Sequence, residues 1–286
     1  MDHVRWAERP QLRRPALVAA FEGWNDAADA ASTAARYLRD RWSARPFADI
    51  DPEEFYDFST TRPQVRLSDG ITRQIVWPAT ELSSAPLPGT PHDVVVMLGS
   101  EPQLKWRTYA GEVVELAKDL GVEMIVILGA LLADVAHTRP VKVTGTAADA
   151  ELVRRLGLAR STYEGPTGIV GVLHDAFSRA GLPSASLWAA VPHYVASTPS
   201  PKAALALVER AAALLSATVV SADLQVAAAD YERQVSEVVA SDDDVAAYVR
   251  RLEQSSDDES IADMENVTGD SLADELEAYL REHRGE

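Results

Sequence analysis

The sequence predicts an α/β protein with a mostly parallel sheet and helices on both faces. The first observation is a set of apolar runs such as Leu17–Phe21, because strands buried on both faces of a sheet are apolar throughout. The second is the regular alternation of such runs with helical patterns after Asp93. The third is the position of unusual polar residues directly after the runs, where ligands of such sheets bind.

Five apolar runs predict buried strands: Leu17–Phe21, Ile71–Trp77, Val94–Leu98, Met124–Leu128 and Leu187–Val191. Two shorter runs are further candidates: Phe55–Phe58 and Ser161–Tyr163. The segment 46–84 combines strand signals with turn residues, which favours an antiparallel extension of the sheet. Helical spacing predicts five helices: Ala27–Arg41, Tyr109–Leu120, Ala147–Leu156, Gly168–Ala180 and Pro201–Leu215.

After Pro199-Ser200-Pro201 the pattern becomes helical throughout. We therefore predict three parts: a core domain over residues 1–218, a helical extension over 219–253 and an acidic tail over 254–286. Three consecutive aspartates at 242–244 suit the start of the extension's second helix. We expect the extension to pack on the core, and the tail to be loosely held around a short helix, Leu272–Leu280.

Composition excludes several classes of function. The net charge is −17, and residues 230–286 hold 18 of the 44 acidic side chains but only 5 of the 27 basic ones, which argues against nucleic acid and anionic membranes as partners. The chain has no cysteine, which excludes thiol nucleophiles and disulfides. Its longest uncharged apolar run, Met124–Ala133, is far shorter than the roughly 20 residues of a membrane helix, and we expect a cytoplasmic protein.

The first candidate constellation follows the first strand and reads Glu22-Gly23-Trp24-Asn25-Asp26. Asn25 or Asp26 would cap the helix that begins there, which makes Trp24 a packing residue in the simplest interpretation. Carboxylates at a helix start also disfavour a bound phosphate. Glu22 points to a site, since a carboxylate directly after a buried strand needs a partner.

Two further constellations follow later strands. Glu101 stands close to Lys105 and Arg107, and a plain surface ion pair with one of them is the favoured interpretation. The segment also lacks the spacing of a nucleophile elbow, which does not support a hydrolase of that type. The other constellation brings together a histidine, an arginine and two hydroxyls: His137, Arg139, Thr144 and Thr146. These groups would bind an anion or polarise a carbonyl. The alternative, which the sequence supports equally, is that they lie in a long loop and form hydrogen bonds with the backbone.

The fourth constellation is Glu164-Gly165-Pro166-Thr167-Gly168, directly before a predicted helix. Thr167 suits the cap and no acid occupies the first turn, so the backbone N–H groups would form an anion site. The alternative is that the glycines only allow close packing on the sheet. His193 ends the next strand and would lie near this loop, although a lone histidine is more often structural. No metal-ligand spacing is present, and we expect neither a metal nor a cofactor.

Six ordered motifs resemble the proteasome assembly chaperone 2 family, specifically its actinobacterial branch. They are AFEGWNDAADAAS, YDFSTTRPQVR, LGSEPQLKWRT, LGALLADVAHTRPVKVTGTA, YEGPTGIVGVL and LWAAVPHYVASTPSPKAAL. The resemblance implies a three-layer α/β/α core similar to nucleoside phosphorylases and hydrolases, with a C-terminal helical extension. It also implies self-association, a trimer being the candidate state. For the eukaryotic namesakes it implies non-enzymatic help in assembling the proteasome core.

Two hypotheses from different classes follow. The first is a non-enzymatic, chaperone-like factor that binds itself and other proteins, proteasome subunits among them. The second is a small-molecule enzyme or ligand-binding protein of the nucleoside phosphorylase or hydrolase type. In this hypothesis Glu22 or Glu164 contacts a diol of the ligand. Arg139 and the Gly165–Gly168 turn hold an anion, and His137 or His193 acts as an acid or base. We favour the first because no catalytic signature is complete.

Overall fold

The computed structural model describes residues 1–255, and an eight-stranded sheet lies at its centre. The strands are β1 (Val4–Trp6), β2 (Ala16–Glu22), β3 (Arg45–Ile50), β4 (Gln64–Ser68), β5 (Thr72–Val76), β6 (Thr80–Pro86), β7 (Asp93–Ser100), β8 (Met124–Ala133), β9 (Val143–Ala147) and β10 (Ser184–Pro192). The helices are α1 (Ala30–Arg41), α2 (Trp106–Asp119), α3 (Ala150–Leu156), α4 (Ile169–Arg179), α5 (Pro201–Leu214), α6 (Ala222–Ala240) and α7 (Asp243–Ser255).

The strand order in the main sheet is β1-β3-β6-β7-β2-β8-β10-β9. The four strands β7, β2, β8 and β10 run parallel to one another, whereas the flanking strands pair antiparallel. These four correspond to four of the five predicted apolar runs, because they lie between two layers of helices. Their carboxyl ends consequently meet at one edge of the sheet.

The two faces of the sheet are covered by different helices. The alanine-rich faces of α1 and α5 pack on one side, which brings these helices close to the sheet. The other side is covered by α2 and α4 with larger side chains, including the fully buried Tyr109 and Phe177. The predicted three-layer α/β/α fold is confirmed.

Two expectations about strands are wrong. Phe55–Phe58 is not a strand, because the N–H groups of Phe55 and Tyr56 both donate to the carbonyl of Pro52 and close a turn. The segment Ser161–Tyr163 is an exposed loop before α4 with no strand pairing. Both segments are rich in strand-forming residues, but neither reaches a free strand edge.

The run at Ile71–Trp77 does form a strand, β5, yet it is exposed where burial was expected. β5 pairs only with β4, and the two form an antiparallel ribbon (residues 64–76, "the ribbon") apart from the main sheet. Asp69 and Gly70 adopt left-handed backbone angles in its turn. Phe58 holds its base through an edge-to-face contact with Trp77, with 4.9 Å between the ring centroids.

The helices α6 and α7 pack against α5 and against the loop after β8, as the sequence predicts for the extension. Their apolar contacts join the two helices to the core: Ala136, Tyr231, Val235, Val239, Val249 and Leu252. Lys202 on α5 reinforces this contact through Glu232 on α6, at 2.5 Å. The domain boundary at residue 218 stays a prediction, and the expected helix Leu272–Leu280 lies outside the described residues.

Within residues 1–255, no helix combines the length and the apolar character needed to cross a membrane.

Candidate functional site

A cavity of about 430 Å³ opens at the edge of the sheet where β2, β8 and β10 end. Its wall combines the turn after β2, the ends of β8 and β10, the antiparallel strand β9 and the first turns of α4. The opening follows from the topology. After neighbouring parallel strands the chain continues to opposite faces of the sheet, and a crevice forms between the two connections at the carboxyl ends of the strands.

Trp24 and Asn25 form the wall that follows β2. Trp24 stands at the mouth of the cavity and is 57% exposed, whereas Asn25 is buried. The carbonyl of Asn25 accepts a hydrogen bond from the Ala130 N–H at 2.8 Å, which ties this turn to β8. Among the described residues, the Asn25 Oδ1 has no hydrogen-bond partner. This oxygen packs against the backbone of Gly168, which does not line the cavity.

The backbone beside this wall is strained. Ala28 and Asp29 adopt φ angles of 51° and 52°, a left-handed conformation that is costly for residues with a Cβ. The Ala28 carbonyl accepts from the Ser200 N–H at 2.9 Å, which holds the turn in place. Ala28 lines the cavity, and such strain is concentrated at functional sites in proteins.

Asp26 caps α1, one of the two expected candidates for that role. Its Oδ1 accepts from the N–H groups of Ala31 at 2.6 Å and Ser32 at 3.0 Å, while Oδ2 is buried without a partner. Burial raises the pKa of Asp26 above its ordinary value, because the charged form is poorly solvated there. Asp26 therefore has a structural role, and its ionised form is energetically unfavourable at this buried position.

Replacing Asp26 with Asn should change the pH dependence of stability. Because its pKa is raised in the folded state, folded Asp26 holds its proton at pH values where the unfolded chain has lost it, so the wild type loses stability as pH rises above about 4. D26N keeps an acceptor for α1 but has no proton to lose. Urea unfolding from pH 4 upward should show the difference in free energy of unfolding, D26N minus wild type, increasing with pH.

Asp26→Ala is the control for the cap itself. Like D26N it has no proton to lose, so we expect it to be about 1–2 kcal/mol less stable than D26N at high and low pH alike. A pH-independent difference between D26N and the wild type would contradict the burial of a charged Asp26.

Glu101 closes the N-terminus of α4, a role that the sequence did not indicate. Its Oε1 accepts from the Ile169 N–H at 2.7 Å. The expected ion pair with Lys105 is absent, because Lys105 pairs with Glu54. Gly168, rather than Thr167, precedes the first residue of α4. Since a carboxylate already occupies this helix start, the anion site expected at Gly165–Gly168 is disfavoured.

Gly168 permits this arrangement. A Cβ at this position would overlap Asn25 Oδ1 and would lie 2.6 Å from Glu101 Oε1, closer than non-bonded atoms can approach. Both side chains approach the backbone of Gly168 from the side that a Cβ would fill. Glycine is therefore required by close approach at this position.

The remaining polar wall is made of uncharged groups. Thr146 and Ser186 lie on adjacent strands, with 2.7 Å between their hydroxyl oxygens, and Trp188 Nε1 donates to Ser186 Oγ at 3.2 Å. Thr144 and Thr167 also line the cavity. The sequence missed His174, which reaches the cavity from α4; burial lowers its pKa, and the neutral imidazole is favoured. The only sequence signal for His174 was its position four residues after Val170.

Three candidates lie away from the cavity. Glu22 is an exposed partner of Arg36 at 2.8 Å and accepts from Ser100 Oγ at 3.2 Å. Glu164 and Gly165 are exposed in the loop before α4, outside the lining residues.

His137, Arg139 and His193 are gathered elsewhere, where the extension meets the core. The two ring nitrogens of His137 lie 2.8 Å from the Tyr194 hydroxyl and 3.0 Å from Ser236 Oγ on α6. Arg139 donates to the Glu253 carbonyl on α7 at 2.8 Å. His193 Nδ1 lies 3.0 Å from an Asp134 carboxylate oxygen, and the His193 ring makes an edge-to-face contact with Tyr248 of α7. The structure thus uses these residues to hold α6 and α7.

Acidification should loosen this contact through His137. Burial, reinforced by the charge of Lys202, lowers the pKa of His137 below 6.5, so the unfolded chain takes up the proton first as pH falls. The stability that neutral His137 provides is therefore present at pH 7.5 and is lost progressively below pH 6.5. Urea unfolding at pH 7.5 and 5.5 should show a larger acid-induced loss for the wild type than for H137N.

H137N should be about 2 kcal/mol less stable than the wild type at pH 7.5, because two part-buried hydrogen bonds are weakened. Equal acid-induced losses in the two proteins would contradict the proposed role of His137.

Comparison with known proteins agrees with this architecture. The model of the PAC2 family matches residues 20–239. The chain belongs to the PAC2 family. A PAC2 family protein from Streptomyces avermitilis is 47% identical, with a TM-score of 0.78 over 82% of this chain and 99% of that chain. A proteasome-assembly chaperone homologue from Mycobacterium tuberculosis is 48% identical, with a TM-score of 0.75 over the same shares.

More distant structures share the fold alone. An archaeal proteasome activator from Pyrococcus furiosus is 16% identical, with a TM-score of 0.66 over 82% of this chain and 97% of that chain. No curated protein matches the chain. The actinobacterial resemblance indicated by the sequence motifs is confirmed by the two closer relatives.

Proposed function

We propose that this protein is a non-enzymatic, chaperone-like factor that binds other proteins, with proteasome subunits as its first class of partner. The observation that carries the proposal is the ribbon, a protruding element with an exposed apolar face. Membership of the PAC2 family, and a 48% identical relative described as a proteasome-assembly chaperone homologue, support the choice of partner.

The apolar face of the ribbon follows from its register. Val65 lies opposite Ile75, and Leu67 opposite Arg73, so these four side chains share one face. Val65 and Ile75 are each 50% exposed and Leu67 is 60% exposed, while Trp77 directly follows the strand. The other face presents Gln64, Arg66, Thr72 and Gln74, with the partly buried Val76 opposite Gln64. Contiguous exposed apolar groups of this kind mark protein interaction surfaces.

The second hypothesis receives less support from the geometry. It needs an acid or base, an anion site and a carboxylate around one ligand. His137, His193 and Arg139 instead hold the extension, and Glu22 pairs with Arg36. The roles assigned to these residues are thus distributed over separate regions of the surface.

The proposal is tested by an assembly reaction. Separately purified α and β proteasome subunits from the source organism are mixed with and without this protein, and core particles are followed on native gels. We expect faster formation of core particles, or a discrete complex between this protein and an unassembled subunit. An unchanged time course without any such complex would exclude the proteasome as partner.

Self-association is part of the same proposal, and we propose a homo-oligomer with a trimer as the first candidate. Light scattering of the full chain measures it independently of the partner. A mass equal to one chain at micromolar concentration would remove the oligomer from the proposal.

A further inference from the structure

The cavity at the carboxyl edge of the sheet has no part in the proposed protein binding. We propose that it is a binding site for an uncharged, planar aromatic molecule. Its volume, about 430 Å³, falls within the ~300–1,000 Å³ of small-molecule sites. Two properties of the wall define the ligand: its lack of formal charge and its aromatic surface.

Among residues 1–255, no residue of the cavity wall is Lys, Arg, Asp or Glu, so the wall carries no formal charge. Its polar groups are one amide and several hydroxyls: Asn25, Thr144, Thr146, Ser161, Tyr163, Thr167 and Ser186. His174 adds an imidazole whose neutral form is favoured by burial. A charged ligand would lose its hydration without gaining a counter-charge. The cavity therefore favours a ligand without charge.

An anion is disfavoured for a second reason. The N-terminus of α4 adjoins the cavity through Val170 and Gly171, and such a helix start ordinarily attracts anions. Here the carboxylate of Glu101 already accepts from the Ile169 N–H. A phosphate or carboxylate ligand would be repelled by that neighbouring charge.

Aromatic side chains give the cavity flat apolar surfaces. Trp24, Tyr163 and Trp188 contribute their rings to the wall, together with aliphatic groups from β8 and α4. The Trp188 ring lies against Gly129, where a Cβ would come within 2.7 Å of it, and its Nε1 donates to Ser186 Oγ. The ring is thus held in one orientation. Fixed aromatic faces pack best against a planar aromatic molecule.

Indoleacetamide and indoleacetate form a matched pair of probes, because they differ only in an amide against a carboxylate. Isothermal titration of the full chain at pH 7.5 should show indoleacetamide binding with a dissociation constant below about 1 mM, and indoleacetate at least tenfold more weakly. Trp24→Ala should weaken indoleacetamide at least tenfold, because it removes one of the aromatic faces of the wall. Trp77→Ala, which removes a comparably exposed tryptophan outside the cavity, should leave binding unchanged.

Failure of indoleacetamide to bind would overturn the proposal, as would equal or tighter binding of indoleacetate. Unchanged binding in W24A would place the probe outside this cavity and would equally overturn it. Both tryptophans are at least half-exposed and outside the core, so neither variant should impair folding. Protein binding by the ribbon is measured separately, so either proposal can fail alone.

Discussion

Replacing Leu67 and Ile75 together with lysine should abolish binding of the partner protein. Both side chains are exposed on the apolar face of the ribbon, so the unbound protein loses little packing. At an interface, two buried apolar residues would become two charges without partners. Central apolar contacts of this kind each contribute about 2 kcal/mol or more. We expect the dissociation constant to rise at least a hundredfold in a titration of the wild type and L67K/I75K.

The control is the double variant Q64K/Q74K. Gln64 and Gln74 lie on the opposite face of the same ribbon and are also exposed, so the added charge is identical. It should bind nearly as well as the wild type, and both variants should unfold within about 0.5 kcal/mol of it. Equal loss of binding in the two variants would mean that charge, rather than the apolar face, governs recognition.

Gly168→Ala should destabilise the protein by about 2–4 kcal/mol. The new Cβ would overlap Asn25 Oδ1 and approach Glu101 Oε1 to 2.6 Å, so at least one side chain must move. Overpacking of this kind costs about 1–3 kcal/mol, and displacing Glu101 removes the cap of α4, worth about 1 kcal/mol. Urea unfolding at pH 7.5 measures the loss.

The same substitution at Gly111 is the matched control. Gly111 lies within α2, and a Cβ there would meet no atom within 4 Å. Alanine is the better helix former, so G111A should gain about 0.5–1 kcal/mol. Opposite signs at the two glycines would establish that close approach, and not flexibility, requires Gly168. A loss below about 0.5 kcal/mol in G168A would contradict the tight packing at the start of α4.

The central strands could be predicted because burial on two faces leaves a simple mark, an uninterrupted apolar run. The flanking strands lack that mark: β6 reads Thr-Glu-Leu-Ser-Ser-Ala-Pro, and β9 is a short run containing Gly145. β5 is apolar but exposed, since composition does not distinguish a buried strand from an interaction surface. The helices agreed closely because helical spacing persists over several turns.

The candidate site was predictable where chain position fixes geometry. Asn25 and Trp24 follow a parallel strand, so their place at the sheet edge is dictated by topology. The capping of α4 by Glu101 joins residues 68 apart in sequence, and no local pattern reveals such a partner. His137 and Arg139 were assigned to a ligand because the docking of α6 and α7 over them is a tertiary event without a sequence signal.

Hydrogen–deuterium exchange of the full chain, alone and with an unassembled proteasome subunit in excess, tests the central claim most directly. Amides of residues 64–77 exchange readily in an exposed two-stranded ribbon, and a bound partner should protect them strongly. The account predicts the largest protection in this segment, and its loss in L67K/I75K. Protection elsewhere with the ribbon unchanged, or no protection anywhere, would contradict it.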